Sequence, residues 1–187
     1  MSKQYERLDE ATLVRECLQQ NAGAQKALYE RFSGRMLGVC YRYARNQADA
    51  EDMLQEGFIK VFTHLEQYRS DGALEGWIRR IMVTTAINYL KRNKSFQQSL
   101  ELDEALQVSS AEQSDLPLHT KDIIAIIRSL PLGYRSIVNL YAVEGYSHKE
   151  IGDILGIAES TSRSQYARAR GLLMRLIEER KKVAVIK

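Results

Sequence analysis

Residues Ser147 to Arg170 read SHKEIGDILGIAESTSRSQYARAR. Ser147 is placed to cap a short helix, with Glu150 three residues on as the reciprocal partner of a capping box, and Ile151, Ile154 and Leu155 give that helix a buried edge. Gly156 ends it, because glycine accepts the left-handed backbone of a tight turn, and Ile157 plugs the junction. A second helix starts in the hydroxyl cluster Ser160, Thr161 and Ser162. Tyr166, Ala169, Leu172 and Leu173 supply its apolar side, while Arg163, Ser164, Gln165 and Arg168 offer donors for base edges and phosphates. This is the spacing of a helix-turn-helix whose second helix enters the major groove of DNA. A solvated helical hairpin could carry the same residues, so the reading depends on what the rest of the chain contains.

Length and composition set the frame. The 187 residues are 44% apolar and 27% charged, values of a soluble globular chain with room for one ordinary domain or two small ones. Lys and Arg number 27 against 24 Asp and Glu, a net charge of +3 that argues for nucleic acid only where the positive charge is concentrated. Cys17 and Cys40 lie in apolar helical patterns outside any CxxC or Cys/His cluster and read as reduced core residues, with no metal site. The opening MSKQYERLDE lacks an apolar signal segment, and no run of about 18 apolar residues could cross a bilayer, so a cytoplasmic chain without membrane insertion is expected.

Helical periodicity runs almost throughout and no sustained alternating pattern occurs, which predicts an all-α protein. Leu13, Cys17 and Leu18 mark a short helix. Leu28, Phe32, Met36, Val39, Cys40 and Tyr43 mark a longer one, and Leu54, Phe58, Val61, Phe62 and Leu65 a third. Ser70, Asp71 and Gly72 interrupt before Leu74, Trp77, Ile78 and Ile81 resume, completing a four-helix unit over 1–94. Residues 95–120 are rich in Ser, Gln and Glu and hold Glu101, Asp103, Glu104, Glu112 and Asp115, a composition that predicts a flexible acidic linker. A second small helical domain over 121–187 begins at Ile123, Ile124, Ile127 and Leu130, breaks at Pro131, and passes through Tyr134, Ile137, Val138 and Tyr141 into the helix-turn-helix. Domains under about 100 residues bury only about 60% of their unfolded surface, so help from a partner is expected.

Two further segments strengthen the nucleic-acid reading. WIRRIMVTTAINYLKRNK, from Trp77 to Lys94, carries Arg79, Arg80, Lys91, Arg92 and Lys94 and no acid. Cations interleaved with Trp77 and Tyr89 suit a single-stranded or opened nucleic acid, because cations track phosphates and aromatic faces receive unstacked bases, although Trp77 equally suits a core anchor. The other segment, Asp49 to Phe58, opens a helix with four acids. The helix dipole accounts for Asp49 and Glu51. Asp52 and Glu56, with Gln55, share a face one turn apart that suits a basic protein surface rather than DNA.

In these segments the chain resembles the bacterial extracytoplasmic-function (ECF) sigma factors of the sigma-70 family. DAEDMLQEGF is similar to the family's region 2.2, YRSDGALEGWIRRI to regions 2.3 and 2.4, and LPLGYRSIVNLYAVEGYSHKEIGDILGIAESTSRSQYARAR to regions 4.1 and 4.2. The resemblance implies a promoter-specificity subunit that binds core RNA polymerase, recognises promoter DNA at two elements and helps open the duplex, without enzymatic activity or cofactor. It implies that Asp49, Asp52, Gln55 and Glu56 dock on the polymerase, and that the loop from Tyr68 and the helix from Trp77 meet the -10 element. A flipped base is held there, Thr84 and Asn88 stand at base-reading positions, and Arg79, Arg80, Lys91 and Arg92 hold phosphates. Arg163, Ser164, Gln165 and Arg168 are implied to read the -35 element, with Ser160, Thr161 and Arg170 on the backbone. The acidic linker would run toward the RNA exit path, and an anti-sigma factor is a further partner of many family members.

Some positions depart from the family pattern. Thr84 stands where Asn is common and Asn88 where Asp is common, so the bases read in the -10 element do not carry over. Ser162 replaces a usual apolar residue and Glu159 a small one, which bears on how the second helix packs. A free-standing helix-turn-helix regulator is the alternative, and would need a dimerisation surface and a sensory pocket. An enzyme is disfavoured, since His64, His119 and His148 are scattered and no Gly-rich phosphate loop occurs.

Overall fold

The computed structural model describes Tyr5, residues 8–92, Phe96, Leu100 and 120–185. Among these residues the secondary structure is helical, with no strand, as the periodicity predicts. The chain divides into two compact units, Met1–Tyr89 and Leu90–Lys187.

The first unit holds α1 (Glu10–Leu18), α2 (Ala22–Tyr43), α3 (Gln47–Thr63) and all but the last two residues of α4 (Leu74–Lys91). Polar caps start the first three helices. The Asp9 carboxylate accepts from the Thr12 N–H at 2.9 Å, Asn21 Oδ1 from the Gly23 and Ala24 N–H groups, and Asn46 Oδ1 from the Asp49 N–H at 2.8 Å. Leu13, Leu28, Met36, Met53, Ile78 and Met82 are fully buried and come from all four helices. A Cβ on Gly57 would collide with the Met82 thioether, so its absence lets α3 and α4 approach closely. Cys17 and Cys40 are buried free thiols, pushed up by burial to about 11 and about 12 respectively, and so behave as apolar core groups.

In the second unit, α5 (Thr120–Ser129) stops before Pro131, which opens α6 (Leu132–Val138). A single π turn, Asn139–Val143, follows. Then come α7 (His148–Leu155) and α8 (Glu159–Val185). Ile127, Leu130, Tyr134, Val138, Ala169 and Leu172 form one buried cluster, with Tyr166, Leu173 and Leu176 packed at its edge. Arg135 is also buried. Its Nη1 donates to the Arg128 carbonyl at 3.2 Å and so satisfies an acceptor at the end of α5. Burial, and then the nearby Arg128 charge, bring its pKa down to about 10.

The helix-turn-helix forms as its sequence predicts. Ser147 Oγ accepts from the Glu150 N–H while the Glu150 carboxylate accepts from the Ser147 N–H at 2.8 Å, completing the capping box. Gly156 takes φ +75°, the left-handed conformation that glycine adopts without strain. Gly152 adds a constraint that the sequence reading did not include: a Cβ there would lie 2.8 Å from the Ile157 carbonyl oxygen. The linker expected over 95–120, with its five acids, lies outside the described residues apart from Phe96, Leu100 and Thr120. Phe96 and Leu100 are buried, where a linker predicts solvated side chains.

Gly152→Ala should therefore lower the thermal midpoint, since the group its Cβ meets is backbone and cannot swing aside. Gly171→Ala, in α8 with open space around its Cα, should raise stability by about 0.5–1 kcal/mol. Thermal unfolding followed by circular dichroism checks both, and equal midpoints for the two variants would contradict the close approach.

Candidate nucleic-acid interface and acidic face

The acidic face lies on α3. Asp52 and Gln55 are exposed and Glu56 is half-buried. The Lys60 ammonium donates to Glu56 Oε1 at 2.9 Å and reaches Thr85 Oγ1 of α4 at 3.3 Å. Ile59, one turn beyond Gln55, is 66% exposed and extends the face with an apolar group. Its isolation in an otherwise polar stripe was the sequence signal for it. Asp49, expected among the docking groups, is placed differently. It is 7% exposed, and its carboxylate accepts from Arg45 Nε at 2.8 Å and from the Tyr89 hydroxyl at 3.3 Å. One turn before the buried Met53, it falls on the inner stripe of α3, where internal partners compensate its charge.

Tyr89 likewise departs from its expected role as a platform for bases. Its hydroxyl donates to Asp49 and to Asp52 Oδ2, at 3.2 Å from the latter, and so ties α4 to the acidic face of α3. Burial first, and then the two carboxylates, raise its pKa, keeping the hydroxyl protonated as that donation requires.

On α4 the outward stripe runs Trp77, Arg80, Thr84 and Asn88 at helical spacing, with Lys91 and Arg92 at its end. Arg80, Thr84, Asn88 and Arg92 are exposed, Trp77 and Lys91 half-buried. Arg79 is half-buried and lies on the line of Val83, Ala86 and Leu90 instead. The Tyr68 and Trp77 rings meet with centroids 5.6 Å apart and planes tilted by 51°. The Tyr68 hydroxyl donates to the Gly72 carbonyl and closes the loop before α4, in which Ser70 holds φ +58°. Two residues the sequence reading passed over anchor the start of α4. The Glu10 carboxylate accepts from the Leu74 N–H at 3.3 Å, and Arg35 of α2 pairs with Glu75.

Along α8, Ser160, Arg163, Ser164, Arg168 and Arg170 are exposed and Thr161 is half-buried. Arg163 pairs with Glu159 one turn before it, an exposed ion pair of small energetic weight that DNA can displace. Ser164 Oγ donates to the Thr161 carbonyl at 3.0 Å. Gln165 is not on this face. It is 4% exposed, and its side-chain amide donates to the Leu100 carbonyl. The reason is register: Ser162, Gln165, Ala169 and Leu172 form the buried line of α8, so Gln165 points inward between an expected hydroxyl and an expected apolar residue.

Ser162 is fully buried and its hydroxyl is 3.0 Å from Nδ1 of His148, the first residue of α7. The imidazole stacks on Tyr141, with centroids 4.3 Å apart and planes 12° from parallel, and touches Tyr166. Burial, and then the Arg163 charge, lower the His148 pKa, against a smaller opposing effect of Glu159. Among the described residues no group of three or more His, Cys, Asp and Glu could hold a metal, and no helix is long and apolar enough to cross a membrane.

The family model for Sigma-70 region 2 matches residues 28–96 and that for Sigma-70, region 4 matches residues 120–173. These two regions define a sigma-70-type protein. The ECF RNA polymerase sigma-E factor of Haemophilus influenzae is 28% identical, covering 92% of this chain and 97% of its own length. That of Escherichia coli K12 is 30% identical, covering 88% and 92%. The sigma factor RpoE from Bartonella quintana, solved in complex with the anti-sigma factor NepR, shares the fold with a TM-score of 0.51 at 20% identity, over 82% of this chain and 96% of that one. The chain belongs to the ECF sigma factors of the sigma-70 family, the subunits that act with core RNA polymerase at promoter DNA in transcription initiation. That assignment replaces the free-standing regulator considered from the sequence.

The Asp49 cluster makes stability depend on pH. Burial alone would raise the Asp49 pKa, but the Arg45 hydrogen bond and charge, with Tyr89, hold it below the usual carboxylate range. A depressed folded pKa contributes stability that is present above the unfolded value, about 3.9, and is lost as pH falls through the folded one. Asp49→Asn should cost about 1.5–3 kcal/mol at pH 7, and its deficit relative to the parent should shrink below about pH 4. Urea unfolding at pH 7 and pH 3 measures both values.

Proposed function

We propose that each helix face of this sigma factor has one macromolecular target. The exposed Asp52, Gln55 and Ile59 of α3, with Glu56 at their side, dock on a basic surface of core polymerase, and Asp49 supports that face from within. The stripe Trp77, Arg80, Thr84, Asn88, Lys91 and Arg92, with Arg79 beside it and the Tyr68 loop before it, meets the -10 element and opened DNA. Arg163, Ser164 and Arg168 read the -35 element, while Ser160, Thr161 and Arg170 hold its phosphates. The observation that carries this reading is the content of three outward faces: Asp52 and Gln55 with the exposed Ile59 on α3, Arg80, Thr84 and Asn88 on α4, and Arg163, Ser164 and Arg168 on α8. The factor acts in the cytoplasm, catalyses no reaction itself, and is subject to restraint by an anti-sigma protein of the kind found with the Bartonella relative.

With cations spread over two separate helices and a net charge of only +3, the free chain should bind promoter DNA weakly and with a steep salt dependence, gaining specificity within the holoenzyme. Asp52→Lys with Gln55→Lys should abolish co-elution with core polymerase in gel filtration while lowering the thermal midpoint only slightly, since the Tyr89 hydroxyl keeps Asp49 as its acceptor. Arg163→Ala should keep core binding and relax upstream selectivity in run-off transcription by about 1–3 kcal/mol. Co-elution that survives the double charge reversal would remove α3 as the docking face.

A further inference from the structure

The turn between α7 and the recognition helix is closed by backbone: the Gly156 and Ile157 N–H groups both donate to the Gly152 carbonyl, at 2.8 and 3.0 Å. At the N-terminal end of α7 the link is between side chains. His148 Nδ1 meets Ser162 Oγ at 3.0 Å, joining the first turn of α7 to the first turn of α8. Ser162 has no exposure to water, so an alternative partner for its hydroxyl must come from the protein. The imidazole cannot swing away easily, because Tyr141 stacks on one face and Tyr166 closes at 5.7 Å. A neutral ring keeps the contact in either tautomer, since the hydroxyl rotates to donate or to accept.

We propose that His148 is a positioning residue for promoter reading: through Ser162 it sets the height and rotation of the first turn of α8, and with them the direction of Arg163 and Ser164. Arg163 follows Ser162 directly, so a rotation of the turn that carries Ser162 redirects the guanidinium. A bidentate arginine contact tolerates little misplacement, and a small rotation is felt as lost selectivity before it is felt as lost folding. The inference rests on α8 being the -35 reader.

The test uses holoenzyme reconstituted with the full chain, and the upstream element that the parent holoenzyme selects from a randomised promoter library. Selectivity is the ratio of run-off transcription from that element to transcription from a scrambled one. His148→Phe keeps an aromatic ring against Tyr141 and removes the polar atom; it should lower the ratio about five-fold, and so should Ser162→Ala. The double variant should be no worse than either single one, and His148→Asn, whose amide reaches the place of Nδ1, should restore most of the ratio. In the free chain, Ser162→Ala should shift the nitrogen-15 resonance of His148 Nδ1, a signature that a general loss of packing would not confine to that atom. Full selectivity in His148→Phe while Arg163→Ala lowers the ratio would overturn the positioning role and leave the reading of α8 standing. No effect of Arg163→Ala either would overturn both. An unchanged Nδ1 resonance in Ser162→Ala would overturn the proposal whatever the transcription assay gives.

Discussion

An α-helix turns once every 3.6 residues, so each side chain has one direction, and in a helix buried along one stripe that direction assigns it to protein or to solvent. The outward face of each helix in this sigma factor follows from that constraint. On α8, the line through Ser162, Gln165, Ala169 and Leu172 must be interior, which leaves Arg163, Ser164 and Arg168 outward. On α4, the buried Ile78, Met82 and Ala86 leave Arg80, Thr84 and Asn88 to solvent. On α3, Ala50, Met53, Leu54 and Gly57 face the core and turn Asp52 and Gln55 outward. The apolar residues choose the outward face of each helix, and at the start of α8 the contact of His148 with Ser162 adds a polar restraint to that choice.

The same constraint forces polar groups inward wherever the sequence sets one on a buried line, and each then requires a partner. Asp49 has Arg45 and Tyr89, Ser162 has His148, and the Gln165 amide has the Leu100 carbonyl. Two of these four partners lie far away in sequence: Tyr89 is on α4, and Leu100 falls in a stretch whose composition predicts a linker. Removing one member of such a set leaves the other buried and unmatched, which costs more than the hydrogen bond itself. These pairs therefore bind elements together, and through Tyr89 they also connect the acidic face of α3 to the cationic helix α4.

Much of this was legible in the sequence, and the failures lie in positions on a buried helical line and in partners distant along the chain. Local signals survived intact: the Ser147 capping box, the Gly156 turn, the break at Pro131 and the helical repeat of each core stripe depend on neighbours within a few residues. Gln165 was misplaced because its chemistry, a donor suited to adenine, outweighed its position four residues before Ala169. Asp49 was grouped with Asp52 only through the family resemblance, and of the two only Asp52 is exposed. The partnership of Ser162 with His148 could not be read along the chain, since it crosses the turn. Its trace was a pair of unexplained residues, a serine on an apolar line and a histidine beside a cap. Glu10 and Arg35, which anchor the start of α4, carried no local signal at all.

The exposed faces also explain why so modest a net charge suffices. Counterion release scales with the number of phosphates neutralised at one surface and is indifferent to acids elsewhere on the protein. On the reading proposed above, the cations that share the outward stripes of α4 and α8 act at DNA with their local density, while the acids of α3 lie on a different face. Had the same residues been mixed on every face, the sum would still be +3 and neither partner would find a complementary surface. Each cluster is small, and its affinity alone is correspondingly limited. Affinity then depends on assembly: a subunit whose separate faces are each weak binds tightly only when polymerase holds it against a promoter, where the second contact is made at high effective concentration. Weakness in isolation, as proposed above, would keep such a protein from occupying promoters without the enzyme that must use them.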